Sequence, residues 1–283
     1  LVSAGSDGKI IFWDIKQQKI VKILKQELSI SSISFTSDNK LLASGSSDKS
    51  IKVYELKNYT IIKKIENNLS PITSVSFSPS NKLLAVGSDD NSVKIYNTST
   101  WEEFKTFTGN FFYVTSVIFS PDEKILAASS HNNKIYLWDL FTGKELIILK
   151  SHKDGVESIV FNKKGTLLLS ASDDSTIKLW DINTEKELKT FIGHTININS
   201  AIFTPDEKFI ISGSGFLEKA IKIWDINTEK ELKTIYEHKS DINSIAFNPK
   251  FNMFATASTD RTINIFCIKR ILNTKAKLNK DFK

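Results

Sequence analysis

The sequence predicts an all-β chain: a seven-bladed β-propeller of four-stranded antiparallel blades, the first blade lacking its inner strand. Three observations predict it. An aromatic slot recurs at Trp13, Tyr54, Tyr96, Trp138, Trp180, Trp224 and Phe266, every 41 to 44 residues, and a period of this length with several short strands per unit marks propeller blades. Within each repeat, apolar and polar residues alternate with period two, as half-buried strands require. Turn residues then separate the runs at matching places. A unit of this size cannot bury its own apolar faces, so the repeats must stack against one another.

The clearest repeat runs from Gly155 to Lys186, with the sequence GVESIVFNKKGTLLLSASDDSTIKLWDINTEK. Lettered a to d from the axis outward, its strands are expected at 156–161, 167–171, 177–181 and 187–191. The first repeat offers b at 1–5, c at 10–14 and d at 20–24, with no strand a. The second is expected at 30–35, 41–45, 51–55 and 61–65, and the third at 72–77, 83–87, 93–97 and 103–107. The fourth follows at 114–119, 125–129, 135–139 and 145–149, and the sixth at 198–203, 209–213, 221–225 and 231–235. The seventh has 242–247, 253–257 and 263–267, with a weak d near 270–274. Pro79, Pro121, Pro205 and Pro249 fall just after strand a, where a missing N–H costs no ladder bond. The propeller is expected over residues 1–274, and residues 275–283 are expected to be a basic tail or linker.

Composition narrows the function classes. No run approaches about 18 apolar residues, so no membrane span is expected. The N-terminus carries no secretion signal and no Met, so the chain is expected to be part of a longer one, placed inside the cell, in the cytoplasm. Upstream residues would then supply the missing strand. The lone Cys267 is expected to be a buried small hydrophobe. Most of the net charge of +6 comes from Lys269, Arg270, Lys275, Lys277, Lys280 and Lys283, which leaves the body near neutral. Nucleic-acid binding is therefore not expected; its one possible seat is the tail.

Trp-Asp pairs close strand c at Trp13, Trp138, Trp180 and Trp224, in register with matching turns. On these residues the chain resembles the WD-repeat β-propeller family over nearly its whole length. The resemblance implies a buried chain in each blade, from the strand c Trp through a strand b Ser or Thr and a His before strand a to an Asp in the b–c turn. The chemistry is sound: an indole N–H needs an acceptor when buried, a hydroxyl can accept and pass a proton on, and an imidazole can reach a carboxylate. Blade five holds the full set, His152, Ser170, Asp174 and Trp180; blade six has His194, Ser212 and Trp224 with Glu218 in the Asp slot of a turn two residues longer. Blade seven has His238, Thr256 and Asp260 with Phe266, which cannot donate, and blade one has Ser3, Asp7 and Trp13. Blades two to four carry Gln26, Asn68 and Asn110 in the His slot, and Asn132 replaces Asp in blade four. Because the His-Ser-Asp vocabulary repeats at a fixed period beside a core Trp, it reads as structural and not as a hydrolase triad.

The resemblance further implies a non-catalytic interaction scaffold that binds a protein or peptide at the top face. Carried over, the face positions include Asp89, Tyr113, Thr115, His131, Glu157, Asp173, Asn197, Asn199, Asp241 and Asn243, joined by Ser6, Ser31, Ser47 and Thr259. This set has four carboxylates and no Lys or Arg, so a ligand carrying Lys or Arg is expected. No cofactor, metal or catalytic residue is assigned. The alternatives are a propeller enzyme with a carboxylate or metal site at the channel mouth, built for example on Asp89, Asp173 and Asp241, and nucleic-acid binding through the basic tail.

Overall fold

A computed structural model of the chain describes residues 1–66, 68–108, 112–273 and 281–282. Seven antiparallel sheets follow one another along the sequence, each paired in simple meander order, and the fold is a seven-bladed, all-antiparallel β-propeller. The first sheet has three strands, Val2–Ala4, Lys9–Asp14 and Lys19–Lys25, and lacks strand a as expected. No described helix is long and apolar enough to cross a membrane.

The chain divides into two compact units, Leu1–Leu149 and Lys150–Lys283. The first unit holds blades one to four. Its three complete blades begin with Ile30–Phe35, Ile72–Phe77 and Val114–Phe119. Strands b, such as Leu41–Ser46, are buried on both faces, because each sheet is covered on either side. Strands d, such as Thr60–Ile65, are largely exposed. The core lies between sheets: Ile51, Val53 and Ile65 of blade two meet Ile72, Val75, Phe77 and Leu84 of blade three. Each such aliphatic side chain contributes about 1.5–3 kcal/mol on full burial.

The second unit holds blades five to seven, starting at Val156–Phe161, Ile198–Phe203 and Ile242–Asn248. Leu169, Ile177 and Phe191 pack on Ile198, Ala201 and Trp224, and Ile221 and Ile223 pack on Ile242, Ile245 and Phe254. The last blade departs from expectation. Where a weak strand d was expected near 270–274, the helix Ile268–Asn273 forms. Ile268, Ile271 and Leu272 share one helical face at this spacing, and all three pack on the last core. The fourth position of that sheet is filled by Asp281–Phe282. The expected basic tail otherwise falls on residues outside those described. Cys267 is half-buried, less enclosed than expected.

Two irregularities recur in every complete blade up to the sixth. Strand d slips register at the aromatic slot, at Tyr54, Tyr96, Trp138, Trp180 and Trp224, and blade one does the same at Trp13. The a–b ladder also carries a bulge, this time in all six complete blades. The residue that the ladder register skips is Ser31, Thr73, Thr115, Glu157, Asn199 or Asn243. A bulge bends its strand and re-aims the extra side chain.

Close packing also sets a size limit in strand b. A Cβ on Gly45 would stand 2.4 Å from Ile72 Cγ2, and one on Gly213 would stand 2.5 Å from Ile242 Cγ2. Blade five places Ala171 at the same slot, and there the neighbouring sheet accommodates the methyl.

Candidate functional site

The buried chains hold the loops that form the candidate face. In blade five, Trp180 Nε1 donates to Ser170 Oγ at 2.8 Å, and His152 Nε2 lies 2.7 Å from the same oxygen. His152 Nδ1 is 2.8 Å from Asp174 Oδ2. The consistent arrangement is a neutral imidazole that donates from Nδ1 to Asp174 and accepts the Ser170 hydroxyl proton at Nε2. Burial alone would raise the Asp174 carboxyl, but hydrogen bonds from His152, Thr176 and the Lys153 amide outweigh it and hold it far below the usual range. Blade six repeats the chain with Glu218, 2.5 Å from His194 Nδ1, while Trp224 Nε1 donates to Ser212 Oγ at 2.9 Å. Burial there pushes His194 below its ordinary value, against the upward pull of Glu218. In blade seven, His238 bridges Thr256 Oγ1 at 2.7 Å and Asp260 Oδ2 at 3.1 Å, and no indole feeds the chain because Phe266 fills the slot.

The first unit shows how far the pattern bends. Trp13 Nε1 donates to Ser3 Oγ at 2.9 Å, whereas Asp7 pairs with Lys9 at the surface and does not join that chain. In blade two, Gln26 does the work of a histidine. Its Nε2 donates to Ser44 Oγ at 2.6 Å and to Tyr54 OH at 3.0 Å. Its Oε1 accepts from Lys52, which also binds Asp48 at 2.8 Å. The slot needs only a group that can donate and accept, and an amide does both. In blade three the chain fails: Asn68 donates to Lys49 O at 3.1 Å, and the buried Tyr96 OH has no partner among the described residues. Asn132 donates to Tyr136 OH at 2.7 Å in blade four, while Asn110 lies outside the described residues.

These Ser and His groups are not poised for catalysis. Ser170 is 0% exposed, and its oxygen is taken up by the indole and the imidazole. A nucleophile needs a path to substrate, which this burial denies.

The face positions lie at the ends of the blades. In the first unit, Tyr113 and Phe112 are exposed, with ring centroids 4.6 Å apart edge to face, and the exposed His131 ring stands 6.2 Å from Tyr113. The backbone fixes this cluster: the His131 amide donates to the Phe112 and Tyr113 carbonyls, and the Ser130 hydroxyl donates to Phe112 O at 2.8 Å. Phe111, next to Phe112 in the chain, is outside the described residues. Burial raises the Asp89 carboxyl above its ordinary value, with His131 acting against that rise. Thr115 is bound to Ser129 at 2.8 Å, and Ser31 to the Gly45 and Ile72 carbonyls.

In the second unit, Glu157 and Asp173 are half-buried. Asn197 Nδ2 donates to Asn199 Oδ1 at 2.7 Å, and Asn199 Nδ2 donates to Ile242 O at 3.2 Å. The two asparagines thus brace the loops as well as lining them. Asp241 accepts from Ser240 Oγ at 3.2 Å, and Asn243 donates to Thr259 Oγ1 at 3.0 Å. The sequence reading missed Thr73, which occupies the bulge in blade three. It also left out Lys153 and Lys239, exposed in the same loops as Asp154 and Asp241. The bulge repeat was the signal, and it becomes visible only when pairing register is known.

Seven antiparallel blades, with the Trp13, Trp180 and Trp224 indoles each bonded to a strand b hydroxyl, define a repeat propeller. The chain belongs to the WD-repeat β-propeller family: the profile described as "Echinoderm microtubule-associated protein second beta-propeller" matches residues 1–156, and "WD domain, G-beta repeat" matches residues 143–181, 185–225 and 229–267. The chain is also similar to Myosin heavy chain kinase C of Dictyostelium discoideum, 32% identical over 72 residues. That stretch is 25% of this chain and 9% of the relative.

Proposed function

We propose that this chain is a non-catalytic interaction module that binds a protein or peptide segment at the loop ends of its blades, with preference for a ligand carrying Lys or Arg. The observation that carries the reading is the bulge repeated in strand a, which turns Ser31, Thr73 and Thr115 in one unit, and Glu157, Asn199 and Asn243 in the other, out of the ladder. A device kept while its side chain changes suits a surface whose scaffold is constant and whose lining selects. Asp89 in the first unit and Glu157, Asp173 and Asp241 in the second supply negative charge. Charge of this kind steers and selects a partner more than it adds affinity. The edge-to-face rings of Phe112 and Tyr113 supply a firm apolar contact.

The test uses fluorescein-labelled peptide pools with Lys or Ser fixed at one position, read by anisotropy against the wild-type chain and the charge reversals Asp89→Lys and Asp241→Lys. Tighter binding of the Lys pool, weakened about tenfold by either reversal, is expected, equivalent to about 1.4 kcal/mol. Equal binding of the two pools, or indifference to both reversals, would overturn the charge preference.

A further inference from the structure

The b–c turn of blade six differs from the others. It is two residues longer, and it reads Gly215-Phe216-Leu217-Glu218-Lys219 where the other complete blades carry short polar turns. Phe216 is 54% exposed and Leu217 is 79% exposed. Adjacent large apolar residues at a turn tip are not the scattered exposure common to soluble proteins.

The turn beneath them is firmly built. The Lys219 amide donates to Gly215 O at 2.8 Å, and Lys219 itself adopts the left-handed backbone at φ 56°. Ser214 closes the base, exchanging bonds with the Ala220 amide and carbonyl at 3.0 Å and 3.3 Å. The Glu218 side chain, 6% exposed, points inward to His194 Nδ1 and to the Thr195 amide, with Lys222 Nζ at 3.6 Å. Gly215 lies against Asn197, whose Oδ1 would be 2.3 Å from a Cβ placed there. The only charged group left at the tip is Lys219, whose Nζ stands 4.9 Å over the Phe216 ring. A turn whose backbone is pinned on both sides of the apolar pair has already lost the freedom that a contact loop loses on binding.

We propose that Phe216 and Leu217 form an anchoring knuckle for a partner segment that places a bulky aliphatic or aromatic side chain on them and a carboxylate beside it, against Lys219. This rests on the reading that the loop ends of this unit bind partners, and adds a second chemistry to it. Glu218 then has a double part: it stands in for the turn Asp of the buried chain, and it drives the inserted pair outward.

The test uses four fluorescein-labelled peptide pools, fixed as Leu-Glu, Ala-Glu, Leu-Lys or Ala-Lys, against the wild-type chain and the surface double variant Phe216→Ser with Leu217→Ser. Wild type is expected to bind the Leu-Glu pool about tenfold or more tightly than the Ala-Glu pool, and the double variant to lose that difference. Its thermal unfolding midpoint should change little, since Leu217 is 79% exposed and Phe216 54% exposed. Binding that depends on Lys but not on Leu would overturn the knuckle and leave the acidic-face reading standing. Leu selection that survives in the double variant, or no binding by any pool, would also overturn it.

Discussion

Ser170 shows how one hydroxyl can fix three elements. It accepts from Trp180 and bonds His152, so Ser170→Ala leaves two buried groups unmet at once. An unmet buried group costs about 1–3 kcal/mol, so the urea midpoint should fall more for Ser170→Ala than for Thr256→Ala, where no indole is present. Tyrosines in blades two and three give opposite expectations. Tyr54 OH accepts from Gln26, so Tyr54→Phe should cost about 1 kcal/mol. Tyr96 OH is buried with no partner among the described residues and is pushed up to about 12 by burial, so Tyr96→Phe should be neutral or stabilising in the same assay.

Titration separates the same chains by pH. Burial would raise Asp260, but bonds from Thr262, the Lys239 amide and His238 lower it to about 2 from 3.8. A depressed carboxyl contributes stability that is whole above the unfolded value and lost as pH falls from 3.8 towards the folded one. His194 is a base held low by burial, so the unfolded chain binds its proton first and stability declines as pH drops below 6.5. Urea midpoints from pH 8 to 3 should therefore fall in two stages. His194→Gln, which copies Gln26, should remove the upper stage and keep the lower one.

At the scale of the strand, packing between sheets is the controlling term. Gly45→Ala or Gly213→Ala drives a methyl into the next blade's isoleucine and should cost about 1–3 kcal/mol by chemical denaturation. Gly5→Ala meets only the end of the Asp7 side chain at 3.3 Å and should cost far less. Strand positions were legible because period-two burial is written directly in the residue order. The last outer strand was not: Ile268, Ile271 and Leu272 suit a helix as well as a short strand, and only the core beside them decides. The histidine chains were legible where the donor types were familiar. Gln26 with Lys52 and Asp48 was not, because an amide reproduces an imidazole's bonding only once its partners are placed. The bulges were invisible for a similar reason, since register depends on pairing and not on composition.

At the scale of the whole chain, the proposed partner has two kinds of exposed feature to meet, taken in each unit by itself. One is the loop ends carrying the bulged residues, with the Phe112–Tyr113 rings in the first unit and the Phe216–Leu217 turn in the second. The other is the row of apolar side chains on the outer strands, Val21, Ile62, Phe104, Leu146, Leu188 and Leu232, all substantially exposed. Phe104, Leu188 and Leu232 each sit between charged neighbours on edge strands, which suits solvation better than anchoring. Hydrogen exchange read by mass spectrometry, with and without the tightest-binding peptide pool, separates the two most directly. Slowed exchange at 112–116, 154–158, 194–199 and 214–219, with the outer strands unchanged, is expected. Slowing confined to 20–24, 61–65, 103–107 and 187–191 would contradict it.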